Sequence, residues 1–314
     1  MIQTVKGRID KKFQGRALCH EHISCTDNNY AKAFGKKWLS REELADYAAR
    51  VLSGLREKYG VTMFVDGTPI DLGRDAKLLS DVSEKSGVHI VASSGTYWFP
   101  GFAGDYNTPE EMAEFFIADC TEGMEDTKVL PGILKCASGR YRVTEEIEKR
   151  HRAMGITSKE TRLPIYVHCE HREDDVFTQT DILLSEGTKP EKIIVGHTAI
   201  RPEADYLEKV LDKGFYISMD QCFCFPSKMN IFGESLVALC HKGFADKILI
   251  SNDYCIHSDF PKRERNGLHL TVEEQIENLA FVYNRLKTAF LEAGGSELDF
   301  VKMTETNIKN ALDI

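Results

Sequence analysis

Short apolar runs alternate with longer amphipathic ones along the whole chain. "RALCH" precedes "SREELADYAARVLSGLREKYG", "VTMFVDG" precedes "DLGRDAKLLSDVSEKSG", "VHIVASSG" precedes "TPEEMAEFFIADCTEGM", and "VLPGILKCA" precedes "VTEEIEKRHRAMGITSKETR". The second half continues with "LPIYVHC" and "EDDVFTQTDILLSEG", "KIIVGH" and "RPEADYLEKVLDKG", "FYISMD" and "NIFGESLVALCHKG", and "KILISND" and "TVEEQIENLAFVYNRLKTAFLEAG". The short runs have strand length. The long ones carry apolar residues at helical spacing, and several end in glycine, which readily takes the left-handed turn beyond a helix. Strands alternating with helices predict parallel βαβ units. Eight such units in 314 residues predict a (β/α)8 barrel, a fold of about 250 residues plus insertions, rather than an open doubly wound sheet. The expected architecture is a single α/β barrel domain over residues 1–314, distorted by an N-terminal segment and long βα loops. No linker, low-complexity tract or charge block divides it.

Composition removes several classes of function. A chain that is 42% hydrophobic and 28% charged is ordinary globular material. A net charge of −9 offers no overall basic balance to attract nucleic acid or an anionic membrane. No apolar run reaches the roughly 18 residues of a transmembrane helix, and the start, "MIQTVKGRIDKKFQGR", lacks the apolar core of a secretory signal. The nine cysteines form no CxxC pair, and the closest two, Cys222 and Cys224, flank Phe223. The expectation is a reducing, cytoplasmic setting in which thiols serve as small buried apolar groups. The expected partner is a small molecule, with a homodimer left open.

In a barrel of this kind the chemistry sits at the C-terminal ends of the strands. On the first strand His20 and His22 flank Glu21, so both imidazoles project from one face and the carboxylate from the other. The fourth strand carries Lys135, the fifth ends in His168, the sixth in His197 and the eighth in Asp253. Any one of these is readily structural. Five ligand-type side chains at predicted strand ends are harder to assign to packing, because neutral imidazole and carboxylate are the usual ligands of zinc and similar divalent ions. Lys135 is the odd member, since an ammonium has donors and no lone pair. It follows the apolar run "GIL", where a free charge is costly. A snorkelling lysine, a Schiff-base lysine and a lysine carboxylated by carbon dioxide all remain open on its own surroundings.

These pieces, in this order, resemble the phosphotriesterase family of the amidohydrolase superfamily: "HEHI", "GILK", "VHCEH", "VGHT", "SNDY" and the closing "ETNIKNAL". The resemblance covers about residues 14 to 314. It implies a binuclear site with two divalent ions, zinc or manganese. His20, His22 and Asp253 would hold the more buried ion, His168 and His197 the more exposed one, and carboxylated Lys135 with a hydroxide would bridge them. Asp253 would also accept the proton of the attacking hydroxide.

The chain departs from the organophosphate-cleaving members at two positions. Their aspartate a few residues after the sixth-strand histidine is replaced by Ile200, and their seventh-strand histidine by Gln221. Neither side chain titrates usefully, which argues against a dedicated phosphotriesterase. Tyr97, in "SSGTYWFP", resembles the tyrosine that lactone-cleaving relatives hold near the metals, where it can hydrogen-bond a developing oxyanion. Basic residues fall in the predicted top loops: Arg140 and Arg142, Arg201, Lys228, and the run 262–265 with Arg263 and Arg265. On an acidic protein they point to an anionic substrate such as a sugar-phosphate lactone. The expected activity is hydrolysis of a carboxylic ester, a lactone first. A phosphotriester or aryl ester, an N-acyl amide, and ligand binding without turnover are the alternatives.

Overall fold

The first strand of the barrel, β3 (Arg16–Cys25), follows a short antiparallel hairpin of β1 (Ile2–Thr4) and β2 (Gly7–Ile9). Then come β4 (Val61–Asp66), β5 (His89–Gly95), β6 (Ile133–Ala137), β7 (Ile165–His168), β8 (Ile193–Val195) and β9 (Tyr216–Met219). The last strand is made in two segments, β10 (Ile248–Ile250) and β11 (Cys255–Ser258). The computed structural model describes residues 1–139, 142–172, 175–259 and 270–314. Every pairing from β3 onward is parallel. The split last strand closes the sheet on itself, because β10 bonds β9 while β11 bonds β3. The (β/α)8 expectation is met, with the eighth strand interrupted where the sequence reads "SNDY".

Helices fill the connections as their sequences direct. Arg41–Tyr59 is capped by the Ser40 hydroxyl and ended by Gly60 in the left-handed conformation. Ala76–Ser86 has the same pattern from Asp75 and Gly87. Pro109–Thr121 opens with a complete capping box between Thr108 and Glu111. Glu145–Thr161 departs from the rule, ending on Arg162 rather than glycine at positive φ. Among the described residues no helix is long and apolar enough to cross a membrane.

Two apolar shells result. Leu18, Phe64, Ile90, Leu134 and Val167 face outward beneath the helices. Ala17, Cys19, Met63, Val65, Val91, Ile133, Tyr166, Ile194 and Leu249 fill the barrel interior. Ile2 from the hairpin joins Ile308, Ala311 and Leu312 in this inner cluster. The chain ends meet there as well, with Ile314 N–H donating to the Met1 carbonyl at 3.0 Å. The N-terminal segment expected to distort the barrel therefore packs against its floor, and polar chemistry is confined to the opposite end.

Gly95 shows how tightly the strands approach. It pairs with Lys135 across β5 and β6 at φ 128°, and a Cβ there would lie 2.0 Å from the Lys135 carbonyl oxygen. A backbone atom cannot swing aside as a side chain can. Gly95→Ala is expected to destabilise the protein by about 3 kcal/mol or more, read as a lower urea midpoint at unchanged slope. An unchanged midpoint would show that β6 shifts freely.

Candidate metal centre

His20 and His22 leave the same face of β3 and converge on Asp253. His22 Nε2 lies 3.0 Å from Asp253 Oδ1 and His20 Nε2 lies 3.4 Å from the same oxygen. Lys135 Nζ reaches from β6 to 2.7 Å from His20 Nε2, above the Tyr166 ring. His168 Nδ1 and His197 Nε2 meet at 2.5 Å. The Tyr97 ring stands edge-on to His168 with centroids 5.1 Å apart. The first-strand, fourth-strand and later residues singled out by sequence are thus brought to one place. His20, Lys135 and His197 are buried, and the partly exposed Asp253 side chain marks the way in.

A buried aspartate that sequence reasoning passed over organises them. Asp220, just past β9 and fully buried, faces His20 Nδ1 at 3.0 Å and His197 Nδ1 at 2.8 Å. It also accepts the His197 backbone N–H at 3.0 Å, the Ser218 hydroxyl at 3.1 Å and the Tyr166 hydroxyl. A carboxylate surrounded by donors fixes both imidazoles as Nδ1–H tautomers and leaves each Nε2 lone pair aimed at the centre. His20, His197 and Asp220 form one ligand-type cluster, and His20, His22 and Asp253 another. The first is the hydrogen-bonded back of the site, because Asp220 already has five donors. The second turns two Nε2 atoms and the Asp253 carboxylate toward one another, with Lys135 Nζ beside them. Thr68 does for His22 what Asp220 does for the others, at 2.8 Å from its Nδ1, and Asp66 accepts the Thr68 N–H at 3.0 Å.

The backbone is bent to present this chemistry. His197, Gln221 and Asp253 follow β8, β9 and β10 and take φ of 61°, 60° and 58°. Non-glycine residues in this region cost of order 1 kcal/mol each and persist only where the surroundings over-determine them. Glu21 supplies that constraint for Asp253. It points away from its histidine neighbours and accepts Ser251 Oγ at 2.7 Å, Asn252 N–H at 2.8 Å and Tyr254 N–H at 2.7 Å, spanning the break in the last strand. On the other side Gly67 lets the chain pass close to the imidazoles, since a Cβ there would sit 2.6 Å from His20 Cδ2.

Burial sets the protonation states. It pushes His20 and His168 down to about 3, with neighbouring Lys135 adding for His20 and neighbouring His197 for His168. Burial lowers Lys135 too and raises the Tyr97 phenol, which stays protonated. His22 goes the other way, up to about 9: burial opposes its proton, but Cys255 and Asp253 outweigh that. The donor set suits divalent zinc or manganese: the imidazoles of His20 and His168 are neutral, a carboxylate oxygen is free of protons, and an ion would displace the proton of His22.

Tyr97 sits on a clamped loop. Its N–H donates to Asp71 Oδ1 at 2.6 Å, and its carbonyl accepts Arg150 Nη1 at 2.8 Å. The buried Arg150 also holds the Phe99 carbonyl at 3.0 Å and Asp105 through two bonds of 2.7 and 2.6 Å. Gln221 donates to Asp253 Oδ2 at 2.6 Å, in the place sequence comparison gave to a relay histidine. Ile200 lies in a short 3-10 turn, Thr198–Ile200. Of the basic residues, Arg201 stacks on the Tyr206 ring at 3.9 Å and Lys228 lies 5.0 Å from the Phe225 centroid. Arg140, Arg263 and Arg265 fall outside the described residues.

Asp220→Asn keeps the size of the side chain but replaces an acceptor by an amide. It is expected to weaken divalent-ion affinity about 10- to 100-fold, read by competition with a chelator. Unchanged affinity would mean that the imidazoles are oriented without the carboxylate.

The chain matches the Phosphotriesterase family over residues 1–300. It is 31% identical to an aryldialkylphosphatase of Saccharolobus solfataricus, over 81% of this chain and 82% of the other. It is 28% identical to a phosphotriesterase homology protein of Mycobacterium tuberculosis, over 82% of each. An N-acetyltaurine hydrolase of Xenopus tropicalis is 24% identical, over 80% of this chain and 83% of the other. Match, barrel and histidine–aspartate site agree that the chain belongs to the phosphotriesterase family and is a metal-dependent hydrolase.

Proposed function

We propose that this protein hydrolyses carboxylic esters, with lactones as the preferred class. The observation that carries the reading is Gln221, hydrogen-bonded to Asp253 where a proton-relay histidine would be needed. With Ile200 in place of the relay aspartate, no titrating path leads from Asp253 through these two positions. On ring opening the alkoxide of a lactone stays tethered at the site, where protonated Asp253 can return it the proton taken on attack, so no relay to solvent is needed.

In this reading His20, His22 and Asp253 would hold one ion and His168 and His197 the other, and a carboxylated Lys135 would supply negatively charged oxygens to the pair. Bound there, two divalent ions supply hydroxide at neutral pH and polarise the scissile carbonyl. Asp253 accepts the proton released on attack, and Gln221 keeps its second oxygen oriented. Tyr97, protonated beside His168, donates to the carbonyl oxygen as it gains charge. Burial favours the neutral Lys135 amine, the form that adds carbon dioxide. The basic loops, with Arg201 and Lys228 among the described residues and Arg140, Arg263 and Arg265 outside them, recruit an anionic substituent.

A second reading, cleavage of an N-acyl amide, is favoured by the relatives that carry the name N-acetyltaurine hydrolase. A panel of lactones, aryl esters, N-acyl amino sulfonates and an aryl phosphotriester, assayed with added zinc or manganese, separates these. The expected result is kcat/KM for a lactone at least about tenfold above that for the phosphotriester, a difference of about 1.4 kcal/mol in transition-state stabilisation. A phosphotriester in first place would overturn the assignment, and an amide in first place would select the second reading.

Lys135→Ala is expected to lose bound metal and turnover together, and short carboxylic acids should restore part of both by occupying the bridge. Lys135→Arg should fail even with added acid, because guanidinium stays charged. Two ions and full turnover in Lys135→Ala, by elemental analysis and assay, would make the lysine structural.

A further inference from the structure

Two thiols meet at the mouth of the barrel, outside the set of residues assigned to chemistry. Cys25 Sγ and Cys255 Sγ are 3.3 Å apart. Cys25 is the last residue of β3 and Cys255 the first of β11, the two strands whose pairing closes the sheet. Cys25 is buried, while Cys255 is partly exposed. Neither is in a disulfide. The sequence drew attention instead to Cys222 and Cys224, neighbours in the chain; the pair on the two closing strands is separated by 230 positions.

We propose that Cys25 and Cys255 form an oxidisable pair that takes a peroxide-class oxidant, and that the resulting disulfide disturbs the metal centre. The chemistry balances in two steps. The Cys255 thiol, the accessible member, attacks the peroxide; the O–O bond breaks, one oxygen leaves as water or alcohol, and a sulfenic acid remains. The Cys25 thiol then attacks that sulfur, the S–O bond breaks, and water leaves with the proton from Cys25. Two thiols are oxidised by two electrons and one peroxide is reduced.

Position makes the bond consequential. Cys255 is opposite His22 in the β3–β11 ladder, and Cys25 is opposite Ser258, so the two thiols lie diagonally across it. Bonded sulfurs are about 2.0 Å apart, and the pair lies three ladder positions apart, so in this proposal closure from the 3.3 Å contact pulls on the two strands as well as on the side chains. The segment that moves begins two residues after Asp253, which already has a left-handed φ of 58°. At the other end His22 lies three residues before Cys25. Both are residues this reading assigns to one ion, so the second half of the proposal rests on the proposed function and the first half does not.

The test uses the full chain, zinc-loaded and with thiols reduced, because zinc does not itself react with peroxide. After brief treatment with hydrogen peroxide, a non-reducing digest is analysed by mass spectrometry and retained zinc is measured. The expected result is a peptide pair joining Cys25 to Cys255, two hydrogens lighter and reversed by dithiothreitol, accompanied by loss of zinc that is regained on reduction and reloading. Cys25→Ser should keep basal turnover, and both Cys25→Ser and Cys255→Ser should keep their zinc under peroxide. Oxidation of Cys224 or others with no Cys25–Cys255 peptide would overturn the pairing. The crosslink at undiminished zinc would overturn the coupling and leave the pairing standing. Equal zinc loss in both serine variants would also overturn the coupling. Zinc affinity of reduced Asp253→Asn tests the ligand reading separately, since that measurement involves no oxidation.

Discussion

The Asp220 carboxylate is a buried negative charge on which the arrangement of the site depends. Burial of an ionised carboxylate is costly unless its oxygens are fully hydrogen-bonded. Here the donors come from four strands or their ends: His20 from β3, Tyr166 from β7, His197 after β8 and Ser218 from β9. Burial raises the carboxyl and the neighbouring His197 and His20 outweigh it, so Asp220 stays ionised. Its geometry therefore fixes two imidazoles belonging to what we read as two different ions. The same atoms that stabilise the anion orient the ligands, and the barrel's closure holds the strands in the register that brings them together.

The cost of this order is distributed over the backbone. Three consecutive strand ends place a non-glycine residue at positive φ, and each of the three carries a side chain at the site. An ordinary exit from the strand would direct His197, Gln221 and Asp253 elsewhere. The constraint that maintains the strain differs at each. The Asp220 carboxylate takes the His197 N–H, Gln221 N–H donates to the Asn252 carbonyl at 3.0 Å, and Asp253 N–H donates to the His20 carbonyl at 2.9 Å. The bonds at Gln221 and Asp253 link neighbouring strand ends directly, so the top of the barrel is a ring of mutually dependent turns.

What could be read from sequence followed from periodicity. Strands and helices appear where apolar spacing changes; His168 ends β7 and His197 lies just past β8, as the pattern predicts, whereas β3 runs on past His20 and His22 to Cys25 and Lys135 lies in the middle of β6. Asp220 was available to the same rule, in "SMDQ", but comparison drew attention to the glutamine beside it. Its importance is a matter of convergence from β3, β7 and β8, which no local pattern records. The break in the last strand escaped for a related reason: "ILI" and "CIHS" are each too short to be distinguished from a single run, and Glu21, whose bonds define the break, is about 230 residues away. The Cys25–Cys255 contact is of the same long-range kind. Arg150 reads as one of several charges on a helix, and only the folded chain shows it buried against the loop of Tyr97.

Charge balance explains why a lysine belongs at the centre of the proposed site. Its four-carbon stem spans from the middle of β6 to the His20 imidazole across the Tyr166 ring, a distance an aspartate or glutamate on the same strand would not cover. As an ammonium it would add a positive charge where cations are to bind, and repulsion at a few ångströms in a water-poor site is severe. As a carbamate it supplies two oxygens and a negative charge, a change of two units at one atom's reach. Asp253 then need not neutralise both ions alone, and one of its oxygens can remain with Gln221, poised toward solvent for the proton of the attacking hydroxide. The reach of the lysine, the downward pull of burial on its ammonium and the fixed tautomers around Asp220 are thus parts of one electrostatic solution. In the proposed site it would place negative charge between the cations without placing an unpaired charge in the apolar interior below.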